Sequence, residues 1–505
     1  MTALSQSPRR LGALRGGVRP PARLGAAHLL VAAALVAGLV VGVETESKAP
    51  FGFGLAVGLC YVPVALMNLP IAVVLWMPLT FVDRLPLGGA PTAAGLLIVL
   101  SWFGAVATRG SVQRALLRMH RNTFALLFAT LVWVTLSVAW AHDEGAAWQS
   151  LASWYTAGLV LIVVATTVWN ERLARMAFWA VLVGGALSVV AGLVVHTAPP
   201  TDTVSGGAAA ASLTPSRFGG ASGDPNLLAA GLVPAMAVAA ALALTARSRL
   251  WALALVVPVM LGFAATGSRG GLVALLVAVV VGLVVARGGR RKMLGAIAVG
   301  VVVAAVGFAA NPALLHRVAS FGSGGTGRST LWTVGGRMWA AHPLAGVGIA
   351  NYLSQAPGYV QRPGLLTFVS FISAQPKVAH NTYLQLLAET GLIGALLYLG
   401  TVFVCLRAAW RAVGLFERAG KPDMAWLARG ALIAGLSMLA ALFFISSATD
   451  KRLWAVLALG PVLYATGRRA AASAPPTRYA AAARAGPLPR QGSTAARGVR
   501  TGRSA

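Results

Sequence analysis

Apolar and polar positions alternate along the chain in long blocks rather than in short periods. From Gly25 onward, runs of about 17–20 residues without a charged side chain recur, each long enough to cross a hydrocarbon core of about 30 Å. The blocks predict crossings at 25–43, 91–107, 123–141, 151–169, 176–196, 226–245, 251–266, 272–286, 293–310, 382–404, 431–447 and 453–466. Residues 51–82 are apolar but interrupted by Pro63, Pro70 and Pro78, and divide into two short crossings with a turn near Asn68. The expected fold is all-α, a polytopic transmembrane bundle of about 12–14 helices. Two polar intervals are long, 197–225 and 311–380. The second is expected to be a large external loop containing short interfacial helices.

Composition agrees with the pattern. Hydrophobic residues make up 57% of the chain and charged residues only 10%, where a soluble protein carries about a quarter. Mean hydropathy is +0.76. Cys60 and Cys405 lie far apart inside apolar blocks and offer neither a disulfide framework nor metal-ligand spacing.

The net charge of +29 is distributed in a way that fixes a topology. Residues 1–24 and 468–505 are basic tails whose composition predicts disorder, flanking a membrane domain at 25–467. Between the crossings, Arg109, Arg114, Arg118 and Arg121 crowd one short interval, and Arg287, Arg290, Arg291 and Lys292 another. Asp143 and Glu144 fall in an interval of the opposite set. Read by the positive-inside rule, both termini are cytoplasmic, the protein is a multi-pass plasma (inner) membrane protein, and both long loops face the outside or periplasm. The tails then meet anionic membrane lipid. They lack the aromatic interleaving of a nucleic-acid-binding segment.

Candidate chemistry concentrates on the external side. The 311–380 interval holds Arg317, Arg328, Arg337, Arg362 and Lys377 but no carboxylate, and no acidic residue occurs between Asp224 and Glu389. Cations without carboxylates suit an anionic substrate and not a metal ion, which needs acidic ligands. Arg217 precedes Asp224-Pro225-Asn226, where Asp224 or Asn226 is placed to cap the next helix with Pro225 in its first turn. Its guanidinium either pairs with Asp224 or grips a phosphate. Arg269 sits in the turn Gly267-Ser268-Arg269-Gly270-Gly271 between two apolar blocks. An arginine there either snorkels to the interface or points into a polar cavity. Gly322–Gly327 leads into Arg328, and Ser329 or Thr330 is placed to cap a helix whose Trp332, Met338 and Trp339 would lie on the membrane interface. That helix N-terminus with Arg328 makes an anion site. His380 and Asn381 open another apolar helix. A helix N-terminus among arginines favours the neutral imidazole, which accepts a proton. Glu389 lies two turns further on and either orders the site or orients a substrate hydroxyl. His316 and His342 lack such surroundings.

At these residues the sequence resembles the O-antigen ligase / polysaccharide polymerase family of membrane glycosyltransferases. The matching pieces are Arg217 with Asp224-Pro225-Asn226, the Gly267–Gly271 turn, Gly327-Arg328 with Trp332, Pro343–Gly348, and His380-Asn381-Thr382-Tyr383 through Glu389-Thr390-Gly391. The resemblance implies metal-independent, inverting transfer of a glycan from a polyprenyl-diphosphate carrier to a hydroxyl of a lipid, polysaccharide or protein acceptor, without a cofactor. It implies diphosphate binding by Arg217, Arg269 and Arg328, a catalytic role for Arg328 in stabilising the leaving group, and His380 as general base. Asn381 and Glu389 have supporting places. Polysaccharide polymerase activity is the alternative within the family. A transporter or flippase of lipid-linked glycans is the alternative outside it, and would concentrate ionisable residues near the bilayer midplane.

Overall fold

The computed structural model describes residues 58, 61–82, 90–108, 111–195, 217–245, 249–286, 289–310, 312, 315, 328–360 and 377–473. In chain order the helices are α1 (Leu69–Trp76), α2 (Ala90–Ala107), α3 (Val112–Met119), α4 (Arg121–Leu136), α5 (Glu144–Thr167), α6 (Glu171–Val195), α7 (Pro225–Ala243) and α8 (Arg249–Thr266). They continue as α9 (Arg269–Val285), α10 (Arg290–Ala310), α11 (Arg328–Ala341), α12 (Tyr352–Val360), α13 (Thr382–Arg418), α14 (Pro422–Ala441) and α15 (Lys451–Ser473). Among the described residues there is no strand. The all-α polytopic expectation therefore holds.

Local chemistry starts the helices where polar side chains interrupt the apolar runs. Asn68, Ser111, Asp143, Asp224, Ser268 and Asn381 each accept a hydrogen bond from a backbone amide two or three residues ahead, satisfying donors that a helix leaves open at its first turn. The Asn68 cap is the turn expected inside 51–82, with Pro70 following it in the first turn of α1.

By length and composition, α4–α8, α13 and α14 are long and apolar enough to cross a membrane, seven helices among the described residues, or up to eight if α2 and α3 form one bent span. α9 is apolar and shorter. The expected crossing at 25–43 and both basic tails lie outside the described residues, apart from the start of the C-terminal tail in α15. The interval around Arg114 and Arg118, expected as a loop, is the helix α3, with Leu116 buried on one side.

α7 and α14, with 78% of their apolar windows buried, stand at the centre. α14 packs between α7 and α9, and α13 runs along α15 and α14. α4, α8 and α13 bury only 33–39% of theirs and display side chains such as Phe128, Leu261 and Phe403, as helices facing lipid do. Apolar side chains gain nothing from leaving lipid, so close packing must hold such helices together. Small residues provide it: a Cβ placed on Gly460 of α15 would lie 2.1 Å from the Cys405 carbonyl oxygen of α13, and one on Gly430 of α14 would lie 2.4 Å from Cβ of Ala241 in α7.

The helix ends sort into the two groups that the alternating topology predicts. At one end, Arg121 shares a cavity with Arg407 and Arg411, Glu171 pairs with Lys421, Arg175 with Asp423 at 3.6 Å, and Arg429 with Glu417. Arg429 also donates to the Val285 carbonyl at 3.0 Å, and Arg469 to that of Trp169 at 2.7 Å. At the other end lie the starts of α5, α7, α9, α13 and α15, the ends of α4, α6, α8 and α14, and the two short helices α11 and α12.

Candidate functional site

The second end is where the candidate residues fall, and a chain of contacts joins them. Arg217 donates from Nε to the Thr266 carbonyl at the end of α8 and from a terminal nitrogen to Asn226 Oδ1, each at 2.9 Å. Ser268 Oγ donates to the same Asn226 oxygen at 2.9 Å. Asn226 thus joins the Arg217 segment to the turn that begins α9 with Arg269. Asp224, one of the two capping candidates, is the residue that caps α7, accepting from the amides of Asn226 and Leu227 at 2.6 and 3.0 Å.

A second set of contacts joins α11, which begins at Arg328, to the segment that carries His380. Arg328 is the first described residue of α11, and Trp332, one turn on, donates its indole N–H to the Ala379 carbonyl at 3.1 Å, beside His380. His380 has φ +48°, a left-handed conformation uncommon for a residue with a side chain. Asn381 follows in extended conformation and caps α13 through Leu384 N at 3.1 Å.

The turn after α14, residues 442–447, bridges the clusters. A Cβ on Gly270 would lie 2.7 Å from Phe444. Phe443 stacks edge-on against Trp332, with ring centres 5.6 Å apart, and lies against Tyr383. Thr382 takes the Leu442 carbonyl on its amide at 2.9 Å, donates its hydroxyl to the Ile445 carbonyl at 2.6 Å and accepts from Ser447 N at 3.0 Å. Sequence reasoning missed this bridge, because 431–447 reads as one unbroken apolar run. The paired aromatics Phe443-Phe444 near its end were the available signal.

Glu389 is buried and holds a neighbouring loop. Its Oε1 accepts from Gln385 Nε2 at 2.9 Å and Tyr352 N at 3.3 Å, and the carboxylate also takes the Ala350 amide. The Pro343–Gly348 segment docks on the same turn: Val347 N and Gly348 N donate to the carbonyls of Ala388 and Glu389 at 2.9 Å, and Leu392 N donates to Pro343 O at 2.9 Å. These bonds use carbonyls and amides that α13 leaves open where it breaks at Gly391 (φ +65°, ψ −170°). Only glycine fits there, since a Cβ would sit 2.2 Å from the Leu344 carbonyl oxygen. The "Pro343–Gly348" and "Glu389–Gly391" pieces of the sequence pattern are therefore two halves of one junction. Asn351 fastens the loop to the start of α5 by accepting from Asp143 N at 2.7 Å and donating to its carbonyl at 3.2 Å.

α11 and α12 form a small core of their own. Leu331, Val334 and Met338 pack with Val347, Tyr352, Ala356 and Tyr359. Arg337 ties the helices together by donating to the Tyr359 carbonyl at 2.9 Å. The buried stripe of α11 differs from the expected one: Trp332 and Trp339 flank it, and Trp339 is 37% exposed with its N–H on the Pro343 carbonyl. Ser329 and Thr330 lie inside α11 and do not cap it. Gly322–Gly327, Arg317, His316 and Arg362 lie outside the described residues.

A buried ion pair at this end was also missed. Arg452 grips Asp450 with contacts of 2.7–3.1 Å, and the two side chains are only 3% and 4% exposed. Arg452 lies against Gly231 in the middle of α7. In the sequence, Asp450-Lys451-Arg452 reads as an ordinary polar turn.

An all-helical bundle with several charge-free spans, carrying a polar site at one end, is a polytopic membrane protein. Residues 253–399 match the family model described as O-Antigen ligase, so over this region the chain is similar to that family. The match runs from α8 into α13; it includes Arg269, Arg328, His380, Asn381 and Glu389 and begins after Arg217. No curated protein matches the chain.

Proposed function

We propose that the protein transfers a glycan from a polyprenyl-diphosphate carrier to an acceptor hydroxyl, with its site on the external face of the plasma membrane. The observation that carries this reading is the contact chain Arg217–Asn226–Ser268, Gly270–Phe444, Phe443–Trp332 and Trp332–Ala379. It brings the elements bearing Arg217, Arg269, Arg328 and His380 to one end of the bundle. The opposite end holds Arg114, Arg118, Arg121, Arg172, Arg175, Arg407, Arg411 and Arg418, and the positive-inside rule makes that end cytoplasmic.

In this mechanism the three guanidiniums bind the diphosphate. His380 takes the proton from the acceptor hydroxyl as its oxygen attacks the anomeric carbon on the face opposite the diphosphate. The bond from that carbon to the diphosphate oxygen breaks, the configuration inverts, and polyprenyl diphosphate leaves with its charge held by Arg217, Arg269 and Arg328. Asn381 supports His380 by fixing the start of α13, and Glu389 supports Arg328 through the loop beneath α11. The donor set favours metal-independent chemistry: at this end of the bundle Asp224 and Glu389 are engaged with backbone amides and Asp450 with Arg452.

Product analysis tests the reading. Purified protein is incubated with a defined polyprenyl-diphosphate glycan and candidate acceptors. The expected result is glycosylated acceptor together with free polyprenyl diphosphate. Movement of intact donor across a vesicle membrane without cleavage would replace this reading with that of a transporter.

A further inference from the structure

The basic end contains a cavity that the glycan-transfer reading does not use. Between the starts of α4, the later turns of α13 and the tail half of α15 lies a cavity of about 220 Å³, lined by His120, Arg121, Asn122, Arg407, Arg411 and Tyr464. Arg407 and Arg411 are four apart on α13, so their guanidiniums share a face. Among the described residues no carboxylate pairs with Arg121, Arg407 or Arg411. A neighbouring cavity at this end contrasts with it, because its Lys421 is already neutralised by Glu171.

His120 is the second, independent feature. It is only 5% exposed, is held edge-on by the rings of Phe124 and Tyr464, and its Nε2 has no hydrogen-bond partner. A buried polar nitrogen left unmet costs about 1–3 kcal/mol unless a ligand completes it. Burial pushes its pKa down to about 4, so the ring is neutral at pH 7 and carries one N–H.

The surroundings distinguish the source of the ligand. The cavity borders the seam between α4 and α13, which are joined at Thr130 and Thr401 by a 3.4 Å hydroxyl contact. The outer slopes of those helices expose Phe128 (68%) and Phe403 (62%). A phosphate seated among the arginines would have an apolar wall beside it for acyl chains. Basic pockets between membrane helices hold anionic head groups in this manner.

We propose that this cavity binds the phosphate of an anionic phospholipid, with Arg121, Arg407 and Arg411 around the phosphate and His120 completing it from below. The site lies toward the other end of α13 from His380, beyond the break at Gly391, and does not depend on the glycan-transfer reading.

The test uses the purified full chain in detergent, with bound lipid counted by intact mass spectrometry as phosphatidylglycerol or phosphatidylcholine is titrated. The expected result is one phosphatidylglycerol per chain held at least tenfold more tightly than phosphatidylcholine. Arg407→Gln/Arg411→Gln should weaken it about 30-fold, at about 1 kcal/mol for each basic residue near the surface. His120→Phe, which keeps the ring packing, should weaken it by a smaller factor. Arg418→Gln, outside the cavity, should leave it unchanged. Displacement of the lipid by millimolar inorganic phosphate would keep the phosphate site and assign it to the free anion. Equal binding of both lipids by the unaltered chain, or undiminished binding by the double variant, overturns the proposal.

Discussion

Replacing Glu389 with alanine removes the hydrogen-bond acceptor beneath the 343–352 loop. In the protein its carboxylate takes the Tyr352 amide at 3.3 Å and the Gln385 side chain at 2.9 Å, and also the Ala350 amide. Tyr352 is completely buried, so after the substitution its amide has no water to turn to. Each buried polar group left unmet costs about 1–3 kcal/mol. With two amides affected and some relaxation, roughly 2–4 kcal/mol is lost. The α11–α12 unit has its own small core, so the loss should fall on local opening of that unit rather than on the whole bundle. Backbone amides across 345–360 should then exchange about 30- to 700-fold faster, at about 1.4 kcal/mol per tenfold. Hydrogen-exchange mass spectrometry of the full chain in nanodiscs measures this directly, with peptides from α7 and α14 as internal reference. Glu389→Gln, which keeps an acceptor oxygen, should fall between the two. An alanine variant whose 345–360 peptides exchange like the original, or whose α14 peptides accelerate to the same degree, would refute the assignment of Glu389 as the loop's anchor.

Other outcomes follow from the same geometry. Gly391→Ala places a Cβ 2.2 Å from the Leu344 carbonyl in a conformation reserved for glycine; a loss of about 3 kcal/mol or more should lower the thermal unfolding midpoint in detergent, and an unchanged midpoint would contradict the described junction. Arg217→Lys keeps the charge but cannot reach the Thr266 carbonyl and Asn226 together with a planar fork; donor binding should weaken about tenfold, as read by titration with polyprenyl-diphosphate glycan. Treatment with EDTA should leave glycan transfer intact, and loss of transfer restored by a divalent ion would end the metal-independent reading.

Seven of the expected crossings, and up to eight, were legible among the described residues, because charge-free runs longer than a bilayer core have few other uses. The Asp224 cap and the turn at Asn68 were legible because a short polar side chain before an apolar run satisfies the amides that the helix leaves open. Where the reading failed, the cause was mostly tertiary. Glu389 reaches Tyr352 across thirty-seven positions of chain, and no local pattern announces such a contact. The two tryptophans of α11 share a face, but the packed stripe beside them is set by Tyr352 and Leu384, which lie against Gly335. The turn at 442–447 was hidden because it is as apolar as the helix it ends. One failure was local: Arg114 and Arg118 lie one helical turn apart on either side of buried Leu116, so α3 was there to be read from the period.

The proposed mechanism divides labour at one end of the bundle, with guanidiniums holding the diphosphate and the His380 imidazole removing the acceptor's proton. Single-turnover transfer by purified His380→Ala and Arg328→Gln, measured alongside donor binding, tests it most directly. His380→Ala should bind donor as the original chain does yet transfer at least a thousandfold more slowly, within the range for a lost general base and its positioning, while Arg328→Gln should lose donor affinity and rate together. Transfer by His380→Ala at the original rate would contradict it.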